Sequence, residues 1–165
     1  MCKDTNKKRH GTNKKQNYEK KSYLCILKTN LYMDYIFENS DRVRDYECDL
    51  QGIVNNANYQ HYFEHSRHLY IISRGVTFNQ LHEQGIDVVV ARYEAAYKVP
   101  LRPDDEYICR LRPVKDGIRY VFHQAIFRAT DNKLCCTAKV DCVATKGGRL
   151  MAGLPELDAM LEIEN

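Results

Sequence analysis

No run in the 165-residue sequence approaches the ~20 apolar residues a membrane helix needs. The basic start, MCKDTNKKRHGTNKKQNYEKK, has no apolar segment of signal-peptide length after it, since "YLCIL" is too short. Internal repeats are absent, as is a Gly-rich phosphate loop opening a helix. There are seven cysteines, an odd number, with no C-x-x-C pair. That excludes a paired disulfide scaffold and the common zinc spacings, and it predicts reduced thiols, several of them core, in a cytoplasmic protein. A uniformly basic surface is missing too. Residues 1–32 carry nine Lys/Arg against two acids, whereas residues 33–165 carry sixteen against twenty. Nucleic acid and membrane are therefore not expected partners of the body.

Two segments are expected: a basic, mobile extension over 1–32 and a folded domain over 33–165, with Met33 a candidate alternative start. The domain reads as a strand over about 35–48 and a helix over about 57–74, followed by strands near 86–99, 106–115, 118–130 and 133–146. Tyr59, Tyr62, Phe63, Leu69 and Tyr70, with Ser66 and Ser73, recur at three and four along the helix and predict its buried stripe. Asn55 or Asn56 is positioned to cap it, and Gly75 to end it. Thr77-x-x-Gln80 opens a second short helix that Gly85 closes, and Pro155 opens a terminal one. "KDG" and "TDNK" are turn chemistry, so the later strands are expected to form an antiparallel meander. One apolar helix face covered by one sheet face gives an α+β layer structure of five strands around a central helix.

The chemistry concentrates in 47-ECDLQGIVNNANYQHYFEHSRHLYIISRG-75. Asp49-Leu-Gln-Gly52 fits a type I turn, which would tie Asp49 to its own backbone. The helix begins only a few residues later, and its first amides have no partners within the helix. A carboxylate beside such amides can attack a carbonyl and stabilise the oxyanion that forms. His61-x-x-Glu64-His65 matches a short zinc-protease pattern, but a solvated helix face explains it equally well, and no metal is expected. Glu64 and Arg67, three apart, are placed to pair along the helix.

Asp49, Gly52, Val54, Asn58, Tyr59, Tyr62, Phe63, Glu64 and Arg67 carry a resemblance to the hotdog-fold thioesterases, in particular the 4-hydroxybenzoyl-CoA thioesterase-like acyl-CoA thioesterases. The likeness covers about residues 34–156 and is specific only in this first motif. It implies a five-stranded antiparallel sheet wrapped around a long helix, and acyl-CoA hydrolysis in a homodimer or homotetramer without a cofactor. Asp49 would act as nucleophile or general base, and the Asn56 amide would polarise the carbonyl. Gly52, Val54, Tyr59 and Glu64 would shape the substrate site. A histidine that some relatives carry is replaced by Ile53 or Asn56 here. Basic residues expected to meet the nucleotide of coenzyme A are Lys98, Arg102, Arg128, Lys133, Lys146 and Arg149. An acyl carrier protein thioesterase and a non-catalytic acyl-CoA-binding module stand as alternatives.

Overall fold

The computed structural model describes residues 34–161, so the expected extension over 1–32 lies outside the described residues. Strand β1 (Phe37–Arg42) leads through a 3-10 turn (Asp45–Glu47) to helix α1 (Asn56–Ser73) and short helix α2 (Phe78–Glu83). Strands β2 (Ile86–Tyr97), β3 (Glu106–Asp116), β4 (Arg119–Arg128) and β5 (Leu134–Lys146) follow, then a two-residue β6 (Arg149–Leu150) and helix α3 (Pro155–Leu161).

All pairings are antiparallel, in the order β1-β3-β4-β5-β2, with β6 folding back on β5. The expected four-strand meander is thus only three strands long, β3 to β5. The connection after β2, Lys98–Asp105, holds Pro100 and Pro103 and is too long and stiff for a hairpin. It carries the chain across the sheet, so β2 pairs with β5 and lies at an edge. The first strand is also shorter than expected. β3 begins at Glu106, opposite Arg42; Val43 still exchanges backbone hydrogen bonds with Asp104 and Asp105, but the next amide, that of Arg44, turns to the Glu47 carboxylate at 2.7 Å.

Helix α1 buries Tyr59, Tyr62, Phe63, Ser66, Arg67, Tyr70 and Ile71. Three expectations for its stripe need correction. Ser73 is exposed and Leu69 is half-buried, and Arg67 points inward, so it forms no pair with Glu64. Ile71, outside the stripe, is buried too at the last turn. Opposite the helix stand Tyr107, Cys109 and Leu111 of β3, Phe122, Gln124 and Ile126 of β4, and Cys136, Ala138 and Val140 of β5. Along β5 apolar residues alternate onto this inner face. Its other face also buries Cys135, Thr137, Asp141 and Val143. Asn55 is the cap, its Oδ1 accepting from the Ala57 amide at 3.0 Å, and Thr77 caps α2 as expected. The five described cysteines are unpaired, four of them buried.

Candidate active site

Glu47 organises the loop that carries Asp49. Its carbonyl accepts the Asn55 amide at 3.0 Å and Asn58 Nδ2 at 2.7 Å, and its carboxylate accepts the Tyr62 hydroxyl at 2.7 Å. Burial, then that hydrogen bond, raises the Tyr62 pKa, so the phenol stays a donor. These contacts tie the loop to the first two turns of α1. A bridge between Cys48 and Val54 closes its base, and the Asp49 amide donates to Ile53 O at 2.9 Å. Between them the chain reverses: the Gly52 amide donates to Asp49 O at 3.0 Å, with Gly52 at a φ of +69°. That backbone conformation favours glycine over any residue with a Cβ.

Asp49 fulfils the turn role and remains open to another. Its Oδ1 accepts the Gln51 amide at 2.8 Å, while Oδ2 has no hydrogen-bond partner among the described residues. The half-buried side chain lines a cleft of about 400 Å³ with Gln51, Ile53, Val54, Asn56, Tyr59, Tyr97, Lys98, Val99, Pro100 and Cys135. At the head of the helix the Asn55 amide goes to Glu47 O, and the Ala57 amide to Asn55 Oδ1. The Asn56 amide between them has no acceptor among the described residues. One carboxylate oxygen and one unclaimed helix-start amide therefore border the same cleft.

The far wall comes from the end of β2. Tyr97 donates its hydroxyl to Asn56 O at 3.1 Å and sets its ring edge-on to Tyr59, centroids 5.5 Å apart. Tyr59 in turn accepts the Leu101 amide at 3.0 Å, and burial pushes its phenol up to about 12. Val54, 3% exposed, donates its amide to Leu101 O at 2.9 Å and forms part of the floor. Asp49, Asn56, Val54 and Tyr59 are thus brought together, with Gly52 bending the loop behind them. Glu64 is exposed on the outer face of α1 and does not line this cleft, and His61, His65 and His68 share that outer face. No cluster of three or more metal-ligating side chains occurs among the described residues. Tyr97 had no signature along the chain, because only the crossover of β2 brings it to the start of the helix.

The model of the thioesterase-like superfamily matches residues 43–161. A hypothetical protein from Aquifex aeolicus, known as a crystal structure, superposes with a TM-score of 0.72 at 28% identity, covering 76% of this chain and 99% of that one. A 1,4-dihydroxy-2-naphthoyl-CoA thioesterase from Synechocystis shares the fold at a TM-score of 0.74 and 12% identity, covering 78% of this chain and 98% of that one. The acyl-acyl carrier protein thioesterase ATL3 of Arabidopsis thaliana is 30% identical over 114 residues, which are 68% of this chain and 60% of that protein. The curled sheet around α1 is the hotdog fold, and the chain belongs to the thioesterase-like superfamily of thioester hydrolases.

Proposed function

We propose that the protein hydrolyses acyl-CoA thioesters in the cleft between the Asp49 loop and the end of β2. The observation that carries this reading is the pairing of the unclaimed Asp49 Oδ2 with the unclaimed Asn56 amide across one cleft. The thioester carbonyl oxygen accepts from the Asn56 amide, at the positive end of an 18-residue helix. Asp49 then acts in one of two ways. As base it takes a proton from water, whose oxygen bonds to the carbonyl carbon; collapse of the adduct breaks the C–S bond, and the departing thiolate recovers the proton. As nucleophile its oxygen forms a mixed anhydride with loss of thiolate, and water then hydrolyses the anhydride to the free acid. Both routes consume one water and give one acid and one thiol.

Coenzyme A, rather than a carrier protein, is favoured by cations close to the cleft mouth. Lys98 lines the cleft and the exposed Arg102 follows four residues later. Arg128 and Lys133 are engaged with Asp131 and are weaker candidates for the nucleotide phosphates. A second copy would complete the site. β2 is an edge strand of twelve residues exposing Val89, Val90 and Tyr97, and the cleft opens at its end. Edge-to-edge pairing of two such strands would satisfy the free backbone edge and wall the cleft. Unpaired thiols suit a reducing, cytoplasmic setting.

The test is thiol release from matched acyl-CoA and acyl carrier protein substrates by wild type and Asp49→Asn. We expect wild type to favour the CoA thioester and the variant to lose at least ~10²-fold in kcat with little change in KM. A variant that keeps its turnover contradicts the assignment of Asp49, and faster hydrolysis of the carrier-linked substrate contradicts the choice of coenzyme A.

A further inference from the structure

Beneath α1 lies a charge that the core does not balance. Arg67 is 6% exposed, and its Nη1 donates to Gln124 Oε1 at 2.9 Å. Gln124, 1% exposed, directs its own amide to the Phe63 carbonyl at 2.9 Å. The guanidinium therefore faces a neutral amide, and it makes no ion pair among the described residues. Burial lowers its pKa accordingly. A guanidinium has five N–H donors, and a buried charge lacking both acceptors and a counter-charge weakens a fold. A second donor stands on the same inner face of the sheet, opposite Val140. The hydroxyl oxygen of Tyr93, on β2, is buried without a hydrogen-bond partner, and the charge of Arg67 acts on that phenol.

The two elements that carry this pair also border the cleft. Tyr97, Ala95 and Tyr93 share one face of β2, opposite Cys136, Ala138 and Val140 of β5. Ala138 also stands opposite Gln124 of β4. Between the two tyrosines the inner face thus holds two alanines, the smallest side chains of that row. Four residues of strand from Tyr97 to Tyr93 span about 13 Å. Eight residues of helix from Tyr59 to Arg67 span about 12 Å. Tyr59 and Tyr97 line the cleft, so α1 and β2 both run from it to the donor pair over the same length.

We propose that the preferred acyl group carries a carboxylate at its far end and that Arg67 and Tyr93 bind it. This specificity rests on the thioester-hydrolase reading of the Asp49 cleft. A carboxylate supplies the missing counter-charge, accepts two parallel N–H donors from the guanidinium and leaves a lone pair for the Tyr93 hydroxyl. A terminal hydroxyl satisfies the pair in part. A terminal methyl leaves both donors unpaired, and a site built for hydrogen bonds rejects such analogues more strongly than a hydrophobic pocket discriminates by length.

The experiment compares acyl-CoAs of matched length ending in methyl, hydroxyl or carboxylate, by kcat/KM from thiol release, in wild type and Tyr93→Phe. The substitution keeps the ring and removes only an unpaired hydroxyl, so the fold is retained, and thermal melting verifies this. We expect wild type to prefer the carboxylate by at least ~10-fold over the methyl. Tyr93→Phe should lower kcat/KM for the carboxylate about 10-fold, chiefly through KM, and shrink that ratio. Equal or faster turnover of the methyl series, or a ratio that Tyr93→Phe leaves unmoved, overturns the inference while the Asp49 reading stands. Wild type that hydrolyses none of the three overturns the reading beneath it as well.

Discussion

Asp49 shows how one carboxylate meets two demands, since Oδ1 holds the turn and Oδ2 is left to the cleft. The turn was legible from Asp-x-x-Gly, and the nearness of the helix-start amides from the short spacing to Asn56. What the sequence could not reveal was the residue that fixes the distance between them. Glu47 lies eleven residues before Asn58 and fifteen before Tyr62, and only the folded loop makes them partners. Asn58→Ala removes the donor to Glu47 O, and we expect a loss of about 1–2 kcal/mol in stability by denaturant titration. Its kcat should fall more than its KM rises, because the loop carrying Asp49 loosens. Gly52→Ala places a Cβ at a φ of +69°. The expected loss is about 1 kcal/mol, with kcat again reduced more than binding, read by melting and steady-state kinetics. The inward turn of Arg67 was not legible, because spacing alone paired it equally well with Glu64.

At the scale of elements, helices and turns were the most readable, because caps and glycines are local signals. The crossing of β2 was not, since it depends on a pairing with β5 residues 39 (Tyr97 with Cys136) to 60 (Ile86 with Lys146) positions away. The proline-containing connection Lys98–Asp105 was the available hint. Helix α3 offers a test of its own docking. Asp158 Oδ1 accepts from Lys115 Nζ at 2.5 Å and from the Tyr120 hydroxyl at 2.7 Å, and Tyr120 also accepts the Leu154 amide at 2.7 Å. The hydrogen bonds from Lys115 and then Tyr120 hold the Asp158 carboxyl below the usual carboxylate range. A depressed pKa means stability that is present above the unfolded value, about 3.9, and lost as pH falls through the folded one. Amide exchange in α3 should therefore accelerate relative to β4 as pH is lowered below about 4, after correction for intrinsic rates. Asp158→Asn should remove that dependence and leave α3 less protected at neutral pH. Exchange in α3 that tracks β4 at every pH would contradict the docking role.

For the whole molecule, the layer arrangement followed from one apolar helix stripe needing one sheet face, and the sheet does curl around α1. The edge strand β2 connects architecture with function, because its last residue, Tyr97, walls the cleft. Light scattering on the purified protein should give a mass of at least two chains, and Val90→Lys should shift it toward one chain with a parallel loss of activity. A monomeric, fully active wild type would contradict pairing at this edge. A crystal structure with a non-hydrolysable acyl-CoA analogue that keeps the carbonyl would show where the thioester sits between Asp49 and Asn56. We expect the carbonyl oxygen about 3 Å from the Asn56 amide nitrogen, with Asp49 Oδ2 facing the carbonyl carbon directly or through one water. A bound analogue whose carbonyl lies away from both groups would contradict it.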